Sequence, residues 1–196
     1  DIVSKFDGAV LRLFMLSTQY RAMLNFSFEL MESSKQSLQR IKNAIENIKF
    51  TLKNKGIEVK KGAYLENIDD FNDLVVDLKT CEEFSKEEVE AFDKVCEFTK
   101  QYFDKLDDDF NTADAETAIY EIVRCVNSNV NDKSSIPFLN AMYQIINTLL
   151  YIIGVEAEKA FIAARERLAD MTEYLDDSAA EVEDSKNILN MLLEQK

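Results

Sequence analysis

The chain has 196 residues, 46% of them apolar, a formal charge of −14 and no histidine. That length holds one large or two small domains with a real core, while four glycines and one proline are too few for the turns of a β-rich or disordered chain, so an all-α fold is expected. The missing histidine excludes Ser-His and Cys-His nucleophiles, histidine-ligated metals and Glu-x-x-His di-iron sites.

Residues 1–21 read as helix, with a short break at Asp7-Gly8 and Val10, Leu13, Phe14, Ser17 and Tyr20 along one side. Leu24-Asn25-Phe26 reads as loop, and Ser27 as the cap of a helix over about 28–53. That helix carries an unbroken 3,4 alternation: Met31, Ser34, Leu38, Ile41, Ile45, Ile48 and Leu52. Gly56 stands where a helix ends in the left-handed conformation. Residues 57–84 show no sustained period and are expected to be an acidic loop, with a short helix near 70–78.

Ser85-Lys86-Glu87-Glu88 has the pattern of a capping box. The helix it opens is expected to bury Val89, Phe92, Cys96, Thr99, Phe103 and Leu106. After the acidic turn 107–111, Thr112 reads as the N-cap of a helix with Ala115, Ile119, Ile122 and Val126 inside. Asp114 and Glu116 would place negative charge at the positive end of its dipole. Ser134 or Ser135 caps the next helix, with Pro137 in its first turn and Leu139, Met142, Ile146, Leu149 and Ile153 as its inner stripe. Gly154 ends it. The tail continues the period through Phe161 to Leu175 and breaks near Asp176-Asp177, giving a C-terminal helical hairpin whose second half a capping box at 178–181 opens.

Two stretches carry a family likeness. The first runs from Val10-Leu11-Arg12-Leu13-Phe14 through Thr18-Gln19-Tyr20-Arg21 to Leu24-Asn25-Phe26-Ser27. The second is Asp107-Asp108-Asp109-Phe110-Asn111-Thr112, followed by an Ala/Glu-rich helix and Glu121-Ile122-Val123-Arg124-Cys125-Val126-Asn127. Both resemble the helical region of cysteinyl-tRNA synthetases, over most of 6–31 and 103–154. Gln19 departs from the family's usual His, Ala22-Met23 from its Ser-Pro, and 56–84 resembles a divergent or inserted connection.

The resemblance implies a helical bundle of the class I synthetase anticodon-binding type, divided as a linker remnant at 1–27, a tRNA-binding bundle at 28–154 and C-terminal helices at 155–196. It implies tRNA for cysteine and the enzyme's own catalytic domain as partners, with ATP and zinc used only in that catalytic domain and no cofactor in this chain. The His-Ile-Gly-His and Lys-Met-Ser-Lys motifs of such active sites, and any glycine-rich phosphate loop, are absent, so the chain alone is expected to be catalytically silent. In some members a small domain that takes part in anticodon reading would follow Lys196.

The net charge opposes nonspecific binding to nucleic acid, and no DNA partner is expected. The charge is uneven, however. From Lys35 to Lys61 eight basic residues face two acidic ones, giving +6 and leaving −20 on the rest. Lys35, Lys42 and Lys49 recur every seven residues on one helix face, expected to point away from the Leu38/Ile45 seam, and Lys53 extends the group. These four, with Arg12 and Arg21, are the candidate phosphate contacts; such contacts position RNA without reading its sequence. A solvated helix face, or pairing with acidic neighbours, is the plain alternative for each.

Asp109 and Asn111 are expected to hydrogen-bond backbone groups at the acidic turn, which with Thr112 is read as a structural corner rather than a metal site. Tyr102, Tyr143 and Tyr151 could stack on bases, although packing is the commoner role for tyrosines at such positions. Three cysteines, Cys81, Cys96 and Cys125, with no C-x-x-C pair, no signal peptide and no membrane-length apolar run point to the reducing cytoplasm. Two competing readings are an acidic helical bundle that binds a protein partner through an exposed heptad seam, and a bundle from another class I synthetase.

Overall fold

The computed structural model describes residue 2 and residues 5–59 and 84–155. The expected loop with its short helix near 70–78, Cys81 and the tail hairpin lie outside the described residues. Those described form five helices: α1 (Gly8–Leu16), α2 (Phe28–Asn54), α3 (Lys86–Asp107), α4 (Thr112–Asn129) and α5 (Ile136–Ile152). They share one hydrophobic core. The tightest pairing is the α3–α4 hairpin, while α2 packs against α1, α4 and α5.

Local chemistry explains where the helices stop. Asp7 caps α1 by accepting from the Ala9 N–H, and Ser27 caps α2 by accepting from the Leu30 N–H. At the far end of α2, Gly56 takes φ +80° while its N–H donates to the Lys53 carbonyl and the Ile57 N–H to the Leu52 carbonyl. This double closure needs a left-handed residue, which glycine supplies without steric penalty. Gly154 (φ +67°) closes α5 in the same way, through the Tyr151 and Leu150 carbonyls.

The first helix is shorter than its pattern suggested. It stops at Leu16, where the Ser17 hydroxyl turns back to the Phe14 carbonyl (2.7 Å), and Tyr20 is 63% exposed rather than inside. A serine hydroxyl that competes for helix carbonyls is a natural terminator. The α2 seam lies where expected, with Met31, Leu38, Ile41, Ile45, Ile48 and Leu52 buried. Because this stripe is in the core, it is not an exposed seam for a partner.

The inner face of α3 is rotated by about one residue from the expected one. Val89 is 43% exposed, whereas Glu88, Ala91, Phe92, Val95, Thr99 and Tyr102 are buried. The polar residue is inside because it serves two helix ends. Glu88 Oε2 accepts from the Ser85 N–H (2.9 Å), completing the capping box, and its Oε1 accepts from the Ser135 N–H (2.6 Å) at the N-cap of α5. One carboxylate thus ties the start of α3 to the start of α5, with both helix dipoles favouring its charge. Replacing it leaves two N–H groups without this acceptor. Glu88→Ala is expected to lower unfolding free energy by about 1–3 kcal/mol. In urea denaturation it should cost more than Ser85→Ala, with Glu88→Gln between them; equal losses for Glu88→Ala and Ser85→Ala would refute the bridging role.

Tyr102 is fully buried, its hydroxyl donates to the Leu149 carbonyl (3.0 Å), and burial pushes its phenol pKa up. Tyr143 is buried as well; Tyr151 is half-exposed. The first two are packing residues. Cys125 is partly buried, its thiol reaching the Ala91 carbonyl at 3.5 Å, and burial raises its pKa.

Candidate nucleic-acid interface

The two stretches that carry the family likeness, 88 residues apart at their closest hydrogen-bonded pair, meet in space. The acidic corner between α3 and α4 turns through two successive left-handed residues, Asp109 (φ 57°) and Phe110 (φ 52°). Each is in a conformation that side-chain-bearing residues adopt at a cost of about 1–2 kcal/mol. The turn delivers Asn111, not Thr112, as the N-cap of α4: its side-chain oxygen accepts from the Asp114 N–H (3.2 Å). Thr112 is the first helical residue, and its hydroxyl donates to the Leu16 carbonyl (2.8 Å), satisfying the end of α1.

Asp109 does not bind backbone as expected. Its Oδ1 accepts from the Tyr20 hydroxyl (2.9 Å) and from Arg21 Nη2 (2.9 Å), and Arg21 Nε donates to the Tyr20 oxygen (2.7 Å). The hydrogen bond to Asp109 raises the Tyr20 pKa. Lys105 pairs with Asp114 (3.1 Å) across the same corner. Among the described residues no carboxylate cluster could hold a metal ion. Changing Asp109 and Asn111 together to Ala should lower stability by about 1–2 kcal/mol, mostly through the lost cap. Thermal melting checks this, and magnesium should leave the melting temperature of parent and variant unmoved.

The candidate cations do not form one free row. Lys35 is exposed and pairs with Glu32 (3.2 Å). Lys42 approaches Asp7 (3.8 Å) with its side chain only 33% exposed. Lys49 pairs with Glu46 (3.1 Å), is 23% exposed, and lies over the Tyr143 ring at 6.0 Å. Lys53 is exposed near the end of α2. The lysine row was expected to point away from the seam, but it borders it. At about 100° per residue, Lys35 and Leu38 are only about 60° apart around the helix. The long stems therefore lie along apolar surface with their charged ends at its edge.

Arg21 belongs to the corner just described and remains 67% exposed. Arg12 lies elsewhere: its guanidinium covers Gly154, so close that a Cβ there would stand 2.7 Å from Nη1. A cation at that place faces the negative end of the α5 dipole. The structure thus places Arg12 and Arg21 in structural contacts, Arg21 still reachable from solvent, and leaves Lys35 and Lys53 as the most accessible members of the ridge.

Glu116 was expected to place negative charge at the positive end of the α4 dipole, but it is 6% exposed on the inner side of α4. The Tyr120 hydroxyl donates to it, and burial raises its pKa to about 7. The signal was available, since Glu116 stands three residues before Ile119 and four before Tyr120 on the buried face.

Comparison with known proteins places these features in a family. Residues 101–158 match the DALR domain. The chain is 33% identical, over its whole length, to a cysteine–tRNA ligase of Lachnoclostridium phytofermentans, of which it covers 38%. It is also 33% identical, over 81% of its length, to a cysteine–tRNA ligase of Lachnospira eligens, of which it covers 29%. The chain therefore spans well under half the length of the curated relatives it matches. With whole-length identity and a DALR domain at 101–158, the chain belongs to the cysteine–tRNA ligase family, as a helical segment of it.

Proposed function

We propose that this segment is the tRNA-binding, anticodon-binding helical part of a cysteine–tRNA ligase, an enzyme that activates cysteine with ATP and attaches it to the tRNA for cysteine. The observation that carries the reading is the identity to cysteine–tRNA ligases along the entire chain, with the DALR domain inside it. The basic ridge of α2 supports it, because an acidic body can hold RNA only through a local excess of cations. Lys35 and Lys53 would make the leading phosphate contacts, Lys42 and Lys49 would add to the local potential, and Arg21 is a further contact at the corner.

Residues 1–27 would join this bundle to the catalytic domain. The exposed apolar side chains there and just beyond, Met15 (58%), Phe26 (46%) and Phe28 (54%), support a covered role for that stretch. No described helix is long and apolar enough to cross a membrane, and a cytoplasmic enzyme fits that finding. The proposal is tested by titrating tRNA for cysteine into the protein over a range of salt concentrations. Binding should weaken log-linearly with salt and exceed binding of an unrelated tRNA; equal affinity for both would remove the support for a cysteine-specific segment.

A further inference from the structure

A cleft of about 450 Å³ opens between the α1–α2 connector, the first half of α2 and the start of α4. That volume lies within the range of small-ligand sites. Phe14, Met23 and Leu30 supply apolar wall, and hydroxyls come from Ser34, Ser37 and Thr117. Glu116 and Tyr120 line it as well, so the carboxylate that is 94% removed from solvent faces the cleft. Among the described residues the Tyr120 phenol is the only hydrogen-bond donor to the Glu116 side chain. Once ionised, a carboxylate has about four acceptor positions, so most of its capacity is then open to a donor from outside.

We propose that this cleft takes a nucleobase bearing an exocyclic amine, its flat ring against the apolar wall and its amino edge on Glu116. The source is either a free nucleoside or a nucleotide unstacked from an RNA strand, and only the second rests on the RNA reading above.

The lining selects this chemistry. No lysine or arginine lines the cleft, so phosphate and carboxylate ligands meet a buried acid and find no cation in its wall. A donor-rich edge is accepted by Glu116. Cytosine, adenine and guanine each carry an amino group, whereas uracil has carbonyl oxygens on both sides of its single ring N–H and would turn one toward the carboxylate. Unstacked bases are held elsewhere by this combination of apolar face and edge hydrogen bonds. The ridge begins at the rim: Lys35 follows Ser34 on α2, and Arg40 is close enough to Tyr120 to lower its pKa. A strand could rest its phosphates on these cations while one base enters.

The experiment titrates the 196-residue chain at pH 8, where the Glu116 carboxyl is ionised, with cytidine, adenosine, guanosine and uridine, and with single-stranded tetranucleotides of one base each, by calorimetry. Amino-bearing nucleosides should bind at least about tenfold more tightly than uridine, the discrimination of one good edge contact. Glu116→Gln should abolish that preference. Thr117→Leu, which fills the cleft from an exposed helix position, should weaken all of them if the glutamine variant fails to fold. A larger, Glu116-dependent affinity for the tetranucleotide would identify RNA as the source; binding of nucleosides alone would identify a small molecule. Equal binding of all four nucleosides, no binding, or binding unaffected by both substitutions overturns the proposal. If tRNA affinity persists while Glu116→Gln changes nothing, the cleft falls and the ridge stands; if nucleosides bind and tRNA does not, the ridge falls alone.

Discussion

Reversing Lys35, Lys42, Lys49 and Lys53 to glutamate in the intact ligase should weaken tRNA binding by two orders of magnitude or more at low salt. Each phosphate contact contributes roughly 0.7–0.9 to the slope of log affinity against log salt, so losing the two leading contacts should flatten that slope by about 1.5 units, and about three units is the ceiling for all four. Reversal also replaces attraction with repulsion, on a segment whose remainder already carries −20 against +6 for the stretch from Lys35 to Lys61. The structure ranks the four. Lys35 and Lys53 are exposed, so their single reversals should change the slope most. Lys42 and Lys49 lean on the body, and their reversal would place glutamate beside Asp7 and Glu46. For those two a modest loss of stability is expected, and melting curves must accompany the binding data. Cysteine activation measured without tRNA should be unchanged. Unchanged tRNA affinity and salt slope in a folded quadruple variant would show that the ridge is a solvated face and would send the search to Arg21.

What the sequence disclosed and what it hid follow from the range of the interactions. Ser27, the Ser85/Glu88 box, Pro137, Gly56 and Gly154 were legible because caps and left-handed closures are made by residues three to six apart. The α2 seam was legible because seven apolar or small residues kept one period from Met31 to Leu52. The corner was only half legible. Its wording marked it, but the partners of Asp109 lie 88 and 89 residues away, and the hydroxyl of Thr112 is used by α1, 96 residues away, instead of by its own helix. Glu88 and Glu116 fall outside the apolar pattern for another reason. Apolar patterning assigns acids to the surface, whereas each of these is buried with a specific donor. The same rule set the inner face of α3 one residue off, at Val89.

The stability of the folded segment should fall by about 3 kcal/mol between pH 4.5 and pH 7 on account of Glu116 alone. In the native state burial holds its carboxyl protonated up to about pH 7, against an ordinary value of 4.5. Tyr120 on α4 is the hydrogen-bond partner of Glu116, and Ser37 and Arg40 on α2 face that tyrosine. Burial, the nearby Glu116 charge and their shared hydrogen bond push the Tyr120 pKa far up, so the phenol remains a donor throughout this window and does not titrate with its partner. Below pH 4.5 both states hold the Glu116 proton, and its full contribution is present. As pH rises, the unfolded chain releases that proton first, binds fewer protons than the native state, and is favoured increasingly until the native carboxyl ionises near pH 7. A shift from 4.5 to about 7 corresponds to about 3.5 kcal/mol in full at 1.4 kcal/mol per unit, of which about 3 kcal/mol is lost by pH 7, where the native carboxyl is half ionised. Glu116→Gln is the direct check, since glutamine fills the same space and still accepts from Tyr120. Urea denaturation at pH 5 and pH 8 should show a smaller pH difference in the variant than in the parent. The other acids are common to both proteins and cancel in that comparison. Tyr120→Phe should move the window upward, because it removes the hydrogen bond that stabilises the carboxylate. If parent and Glu116→Gln lose stability in parallel from pH 5 to pH 8, Glu116 ionises as an ordinary surface acid and its burial has no bearing on folding.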